Sequence, residues 1–263
     1  MEVNQKHIDK SLVFDSNDLA INIQNLVKNY DDVKAVSKLN LKIKNGELFS
    51  LLGPNGAGKT TTINILSGLL KPTQGKAFVG GYNILTELSS IKKLIGVCPQ
   101  EAAIFKFLTG KENLELFGYL NGMSKGKIKE RIDYLLELLE FEKDSERKTK
   151  EYSGGMLRKL NILIALIHDP KIAFLDEPTV GMDPRARRKV WDFIRALKNQ
   201  NKTIILTTHY MEEAEALSDR VGVIDYGELI AIGTPKELIE KFRVKNLEEV
   251  FLKITGRRIV EGI

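Results

Sequence analysis

Leu48-Phe49-Ser50-Leu51-Leu52-Gly53-Pro54-Asn55-Gly56-Ala57-Gly58-Lys59-Thr60-Thr61 is the stretch on which the reading of this chain turns. Its opening run, set off by the turn pair Asn45-Gly46, has the near-continuous apolar pattern of a strand buried on both faces. Gly53 to Thr60 fits Gly-x-x-x-x-Gly-Lys-Ser/Thr, and from Thr60 to Leu70 the pattern is helical, ending before Lys71-Pro72. Strand, glycine-rich loop and helix in that order form a cradle for phosphate. Phosphate carries dense negative charge, and glycines let the backbone curl until its amides and the helix N-terminus point at that charge. Within the cradle Lys59 is placed to hold the β- and γ-phosphates of a nucleotide and Thr60 to ligate magnesium, with Thr61 beside it on the first helical turn.

Outward from this stretch the pattern is that of an α/β protein. Before it, Ile21 and Ile23, then Leu39, Leu41 and Ile43, alternate with polar neighbours and predict half-buried strands at an antiparallel edge. After it, Ile172 to Leu175 and Thr203 to Thr207 read as strands, and Val190, Phe193, Ile194 and Leu197 mark one face of a helix between them. That unit is β-α-β, so its strands are parallel. Between about Leu88 and Glu151 helical spacing replaces strand pattern. There Thr109 and Glu112 form a capping box ahead of Leu116, Phe117 and Leu120, and Ile128, Ile132, Leu135, Leu136 and Leu139 share a helical face, both stripes reading as core. A further helix is expected from Leu157 to Ile167. Near the end, Asp225-Tyr226-Gly227 punctuates two strands and Thr234-Pro235-Lys236-Glu237 opens a capped helix. The expected fold class is α/β: a P-loop NTPase core with a mainly parallel sheet, an antiparallel β edge subdomain and an inserted α-helical subdomain.

The strand Ile172 to Leu175 runs into Asp176-Glu177. Carboxylates at the carboxyl edge of a parallel sheet face the nucleotide crevice, where Asp176 would bind magnesium and Glu177 would polarise the attacking water. Alone, an Asp-Glu pair after a strand is equally a soluble turn; beside a P-loop it reads as catalytic.

Composition narrows the setting. Of 263 residues, 43% are hydrophobic and 29% charged, an ordinary globular balance. The formal charge of +5 comes from 40 basic residues against 35 acidic ones, an excess too small to demand nucleic acid as partner. Runs such as Arg147-Lys148-Thr149-Lys150 and Arg257-Arg258 read as solvated faces. Cys98 is the sole cysteine, so no internal disulfide forms and a reducing compartment is expected. The first residues lack a signal-peptide pattern, and the aliphatic run Ile162 to Ile167 is far short of the roughly 18 residues that a spanning helix needs. If this protein serves a membrane, another chain crosses it.

Tyr152-Ser153-Gly154-Gly155-Met156, ahead of a helix and upstream of the acidic strand, is where the sequence resembles the ATP-binding-cassette family. The family's other motifs follow in order: Tyr30 at the position of an adenine-stacking aromatic, Gln100 at the loop glutamine, Asp183 at the dimer-interface aspartate and His209 at the switch histidine. The resemblance runs from about Ile21 to Phe242, and Tyr-Ser-Gly-Gly-Met with Thr179 to Pro184 is most similar to the daunorubicin-resistance branch of drug and polysaccharide exporters. It implies a leader over residues 1–18, an ATPase domain over 19–245 with the helical insertion at about 88–158, and a tail over 246–263. It also implies ATP and magnesium as ligands, a second copy or a homologous cassette paired head to tail, and a separate transmembrane permease. Direct nucleic-acid binding is not expected, and the location implied is the cytoplasmic face of a membrane. In such a pair Ser153, Gly154 and Gly155 cap the γ-phosphate held by the partner's Lys59, while Glu177 orients water, His209 touches the γ-phosphate and Gln100 senses magnesium and water. Tyr152 stands where the commoner signature has Leu and Met156 where it has Gln, and Met cannot make a Gln-type hydrogen bond to ribose.

Three functions compete. A transporter ATPase predicts that some of the apolar segment Ala102 to Leu108, where the family receives a permease helix, stays exposed. A soluble cassette acting on ribosomes or nucleic acid would carry two cassettes or a long coiled coil between Gly53 and Ser153, and this chain has neither. A regulator that binds ATP without turnover conflicts with Lys59, Asp176, Glu177 and His209 all being present. The short sequence after His209 leaves little room for an importer's regulatory domain and points to export. His7, His168 and Cys98 are given no catalytic role: His7 lies in the polar leader, His168 at a helix end, and Cys98 reads as a buried inert thiol.

Overall fold

The computed structural model describes residues 18–101 and 104–256. The leader up to residue 17 with His7, Ala102 and Ala103 of the apolar segment, and Arg257-Arg258 lie outside the described residues.

The strand that opens the phosphate cradle, β3 (Leu48–Leu52), is buried along its whole length, as its apolar run requires. It sits in the middle of a sheet of order β10-β9-β3-β8-β7-β6, built with β6 (Ile95–Cys98), β7 (Ile172–Asp176), β8 (Thr203–Thr208), β9 (Arg220–Asp225) and β10 (Glu228–Gly233). From β9 through β6 neighbours are parallel, and only β10 folds back antiparallel on β9. A second, antiparallel sheet of order β2-β1-β4-β5 holds β1 (Leu19–Tyr30), β2 (Val33–Lys44), β4 (Gln74–Val79) and β5 (Tyr82–Asn83).

Side-chain alternation sorts the central strands between two cores. Ile172, Phe174 and Ile205 point with Phe49 and Leu51 toward the antiparallel sheet and α1 (Lys59–Leu66). Ala173, Leu175, Ile204 and Leu206 point the other way, into a helical layer. That layer holds α3 (Gly110–Leu120), α4 (Lys125–Leu138), α6 (Gly154–Leu166) and α7 (Pro184–Asn199). A third cluster joins Leu52, Val221 and Val223 to α8 (Met211–Leu217), α9 (Pro235–Phe242) and α10 (Leu247–Thr255). The short helices α2 (Leu88–Leu94) and α5 (Glu142–Ser145) complete the chain order. Among the described residues no helix is long and apolar enough to cross a membrane.

The β7-α7-β8 unit is parallel as expected, and both predicted capping boxes are present, Thr109 with Glu112 and Thr234 with Glu237. Three expectations need correction. The helix after the P-loop stops at Leu66, not Leu70, because Gly68 turns left-handed (φ +77°) and a side chain there would meet Leu88 at 2.1 Å. The stretch from Leu88 is not uniformly helical, since Ile95–Cys98 pairs with β7 as the edge of the central sheet; a four-residue strand is too short to assert its period among helices. The α3 stripe is only partly core: Leu116 and Phe117 are half-buried and Leu120 is 69% exposed, while Leu114 and the whole Ile128 to Leu139 stripe are buried.

Phe174 is fully buried where the central sheet meets α1. Phe174→Ala should therefore cost about 3–5 kcal/mol in urea unfolding, and a loss under about 1 kcal/mol would show that this face is not packed as described.

Candidate functional site

The P-loop leaves β3 at Leu52, and the Gly53 amide is held by the Thr208 carbonyl at the end of β8, 3.2 Å away. Its last glycine, Gly58, is the N-cap of α1 in a left-handed conformation (φ +99°), with the Ala35 carbonyl 2.2 Å from where a Cβ would stand. Only glycine fits there. The loop is braced from the far side by the β9–β10 hairpin, where the Gly227 amide donates to Ala57 and the Gly227 carbonyl accepts from Ser37. Two left-handed residues, Tyr226 (φ 46°) and Gly227 (φ 76°), make that turn tight enough to reach.

Around the loop lies a cavity of about 380 Å³ whose lining includes Asn55, Gly56, Lys59, Thr60, Gln100 and Glu177. That size suits a small ligand. Lys59, 4% exposed, curls back so that Nζ donates to the carbonyls of Gly53 (2.8 Å) and Pro54 (3.0 Å) and pairs with Glu177 Oε1 at 3.1 Å. Buried cations need such partners, and phosphate oxygens would satisfy the same donors.

Glu177 is placed by backbone strain and by Thr207. Its φ of +48° is left-handed, which costs a non-glycine residue about 1–3 kcal/mol and is held only where the surroundings insist on it. Here its amide donates both to the Thr207 carbonyl (3.1 Å) and to Thr207 Oγ1 (3.0 Å), while the Thr207 hydroxyl donates to Asp176. One threonine on β8 thus aims both carboxylates. His209 Nδ1 stands 3.3 Å from Glu177 Oε1, at ion-pair distance without an aligned hydrogen bond. Burial pushes the Glu177 carboxyl up, but His209 and Lys59 outweigh it, and its pKa is lowered from the ordinary 4.5. The lowered pKa favours the ionised form, so the Glu177 carboxylate is a hydrogen-bond acceptor.

Gln100 lines the same cavity. Its carbonyl accepts from Arg158 Nη1 at 2.5 Å, and the neighbouring Pro99 carbonyl accepts from Asn161 at 2.8 Å, so α6 grips the glutamine's backbone. Arg158, Asn161 and Thr207 were missed from sequence. Asn161 left a signal, a polar residue within the apolar run Leu160 to Ile164, because a buried amide must find partners.

The remaining residues are not brought to this cavity within one chain. Ser153 N-caps α6, its hydroxyl accepting from the Met156 amide at 3.3 Å, and Ser153 and Gly154 are exposed. Neither Ser153, Gly154 nor Gly155 lines the Lys59 cavity. Asp183 N-caps α7, its Oδ1 accepting from the amides of Arg185 and Ala186 at 2.9 Å each, and those amides hold its pKa down. Tyr30, 43% exposed at the tip of β1, has the Lys28 ammonium 4.9 Å from its ring centre. Tyr152 is explained by packing: its hydroxyl donates to the Asp144 carbonyl at 2.6 Å, its ring meets Phe141 edge-on, and burial pushes its pKa up to about 12. Met156 is partly buried against the helical core.

Residues 36–180 match the protein family described as ABC transporter. The chain is 43% identical over 221 residues to a daunorubicin resistance ATP-binding protein of Streptomyces coeruleorubidus, covering 84% of this chain and 70% of that protein. It is 43% identical over 233 residues to a Nod factor export ATP-binding protein of a Rhizobium species, covering 89% and 77%. A solved dimeric ATP-binding cassette in a post-hydrolysis state, bound to ADP and Pi, superposes with a TM-score of 0.74 at 29% identity, over 81% of this chain and 98% of that one.

The Lys59–Glu177 pair makes its own test. A carboxyl with a depressed folded pKa contributes stability that is full above the ordinary 4.5 and is lost as pH falls through the folded value. Carboxyl-detected NMR titration should place Glu177 below the ordinary value, and Lys59→Met should move its midpoint upward. An unchanged midpoint would mean that Lys59 does not govern the charge on Glu177.

Proposed function

This chain belongs to the ABC transporter family, and from that premise we propose that it is the ATP-hydrolysing subunit of an exporter whose membrane-crossing part is a separate chain. It binds ATP and hydrolyses it to ADP and phosphate. The observation that carries the site assignment is the convergence of Lys59, Glu177 and His209 within 3.3 Å contacts at the mouth of the phosphate cradle.

In this reading the backbone amides of residues 53–61 and the α1 N-terminus wrap the phosphates, and Lys59 exchanges the Gly53 and Pro54 carbonyls for β- and γ-phosphate oxygens. Glu177, released from Lys59, orients water in line with the γ-phosphorus and takes its proton. The new oxygen–phosphorus bond forms as the bond to the β–γ bridging oxygen breaks, and that oxygen leaves with ADP. His209 faces the γ-phosphate from beside Glu177, and Tyr30, 43% exposed, stacks on adenine.

Magnesium fits the oxygen donors at hand. Thr60 and Gln100 line the cavity and Asp176 ends β7 beside Glu177, a small hard-oxygen set of the kind that leaves most of the ion's coordination to water and phosphate. Bound there, the ion neutralises phosphate charge. Among the described residues no group of three His, Cys, Asp or Glu side chains forms a metal cage of its own.

Ser153, Gly154 and Gly155 are exposed or half-exposed and outside the cavity, which supports a head-to-tail pair in which they cap the γ-phosphate held by the partner's Lys59. The solved cassette that this chain resembles is a dimer. Phe105 and Phe107, 52% and 81% exposed just beyond Gln100, are the surface offered to the permease on the cytoplasmic face. Export follows from the drug-resistance and Nod factor relatives.

Purified protein should hydrolyse ATP. Glu177→Gln should lower turnover at least about 100-fold while leaving ATP binding and favouring an ATP-dependent dimer on size exclusion. Unchanged turnover in that variant would falsify the role given to Glu177. Lys59→Ala should instead weaken nucleotide binding itself.

A further inference from the structure

Glu213 is a carboxylate in the wrong place for an ordinary surface helix. It lies on α8, four residues after His209 in the chain, and is fully buried. Its Oε1 accepts from the Thr179 hydroxyl at 2.7 Å and from the Trp191 indole N–H at 2.9 Å. Oε2 is sealed from solvent with no partner in good geometry, and the Thr208 hydroxyl is a further polar neighbour of the carboxyl. A buried acid that only filled space would be replaced at a gain by an apolar side chain, because its desolvation is costly.

Its partners define what it connects. Thr179 sits in the turn that follows Glu177, where the Val180 amide reaches back to the Glu177 carbonyl and the Met182 amide to the Thr179 carbonyl. Thr208 immediately precedes His209 and accepts from the Tyr210 amide at 2.9 Å. Trp191 stands on α7, the helix that Asp183 caps, and one turn earlier on α7 Arg187 stacks over the Tyr210 ring at 4.2 Å. Asp183, Arg187 and Trp191 follow one another at four-residue spacing, so one face of α7 carries the capping aspartate, the guanidinium over the Tyr210 ring and the indole that donates to Glu213.

We propose that Glu213 is a positioning residue for hydrolysis: it locks the turn after Glu177 and helix α7 to the His209 segment, so that Glu177 and His209 hold their 3.3 Å separation. The inference rests on Glu177 and His209 acting on the attacking water and γ-phosphate. Burial pushes the Glu213 carboxyl upward toward its neutral form, which suits a group whose work is hydrogen bonding rather than charge.

The test uses the 263-residue chain and steady-state ATP hydrolysis. Glu213→Gln keeps the acceptor oxygen and should retain kcat within about threefold, whereas Glu213→Ala should lower kcat at least about tenfold with KM for ATP within about twofold. In the Glu213→Ala background His209→Ala should cost less than about threefold more, because the histidine is already misplaced. The idea is overturned if Glu213→Ala keeps its kcat, if KM rises in step with the fall, if Gln fares no better than Ala, or if the Glu213 and His209 losses multiply. Should Glu213→Ala fail to fold, Thr179→Val and Trp191→Phe each remove one donor and decide the matter: each should lower kcat about threefold at constant KM, and wild-type kcat in both overturns it. Glu177→Gln run alongside separates the two readings, since wild-type turnover there removes the base itself, while a dead Glu177→Gln with a normal Glu213→Ala removes only this inference.

Discussion

The buried contact between Lys59 and Glu177 is the constraint on which the rest of the structure depends. It joins the first residue of α1 to the residue just after β7, two segments far apart in sequence that meet because β3 and β7 flank β8 in a parallel sheet. Removing one partner of such a pair leaves an uncompensated buried charge, at about 3–5 kcal/mol. In the proposed mechanism the pair is an exchange: the ammonium is held by two backbone carbonyls and the Glu177 carboxylate, ligands that phosphate oxygens would replace, freeing the carboxylate.

The elements around the pair carry it at fixed distance. Thr207 on the middle strand aims Asp176 and Glu177, Thr208 holds the P-loop backbone through its carbonyl, and the β9–β10 hairpin presses on Ala57 and Ser37. The strain at Glu177 persists because its amide is held twice by Thr207. Two cores make this rigid, one on each face of the central sheet, with alternate residues of each strand assigned to each.

The residues proposed for the dimer face are built differently. Ser153 and Asp183 are helix N-caps whose side chains are engaged with their own backbones, and both are at the surface. Gln100 lines the cavity around the P-loop, and its backbone carbonyl is tied to α6 by Arg158.

Much of this was legible in the residues themselves. The P-loop, the parallel β7-α7-β8 unit and the two capping boxes are local patterns, in which neighbours a few positions apart dictate their own geometry. The strand Ile95–Cys98 and the early end of α1 escaped, since a short strand among helices and a glycine turn governed by Leu88 are decided by contacts distant in sequence. Ordered motifs determined the chemistry, the nucleotide and the family. Only the tertiary structure decided that Lys59 pairs with Glu177, that one threonine aims two carboxylates, that Tyr152 earns its place through the Asp144 carbonyl and that Glu213 is buried between Thr179 and Trp191. Sequence records which groups a chain owns and how they repeat, whereas burial and pairing depend on which distant segments fold against them, and those set the charge and direction of every group in the site.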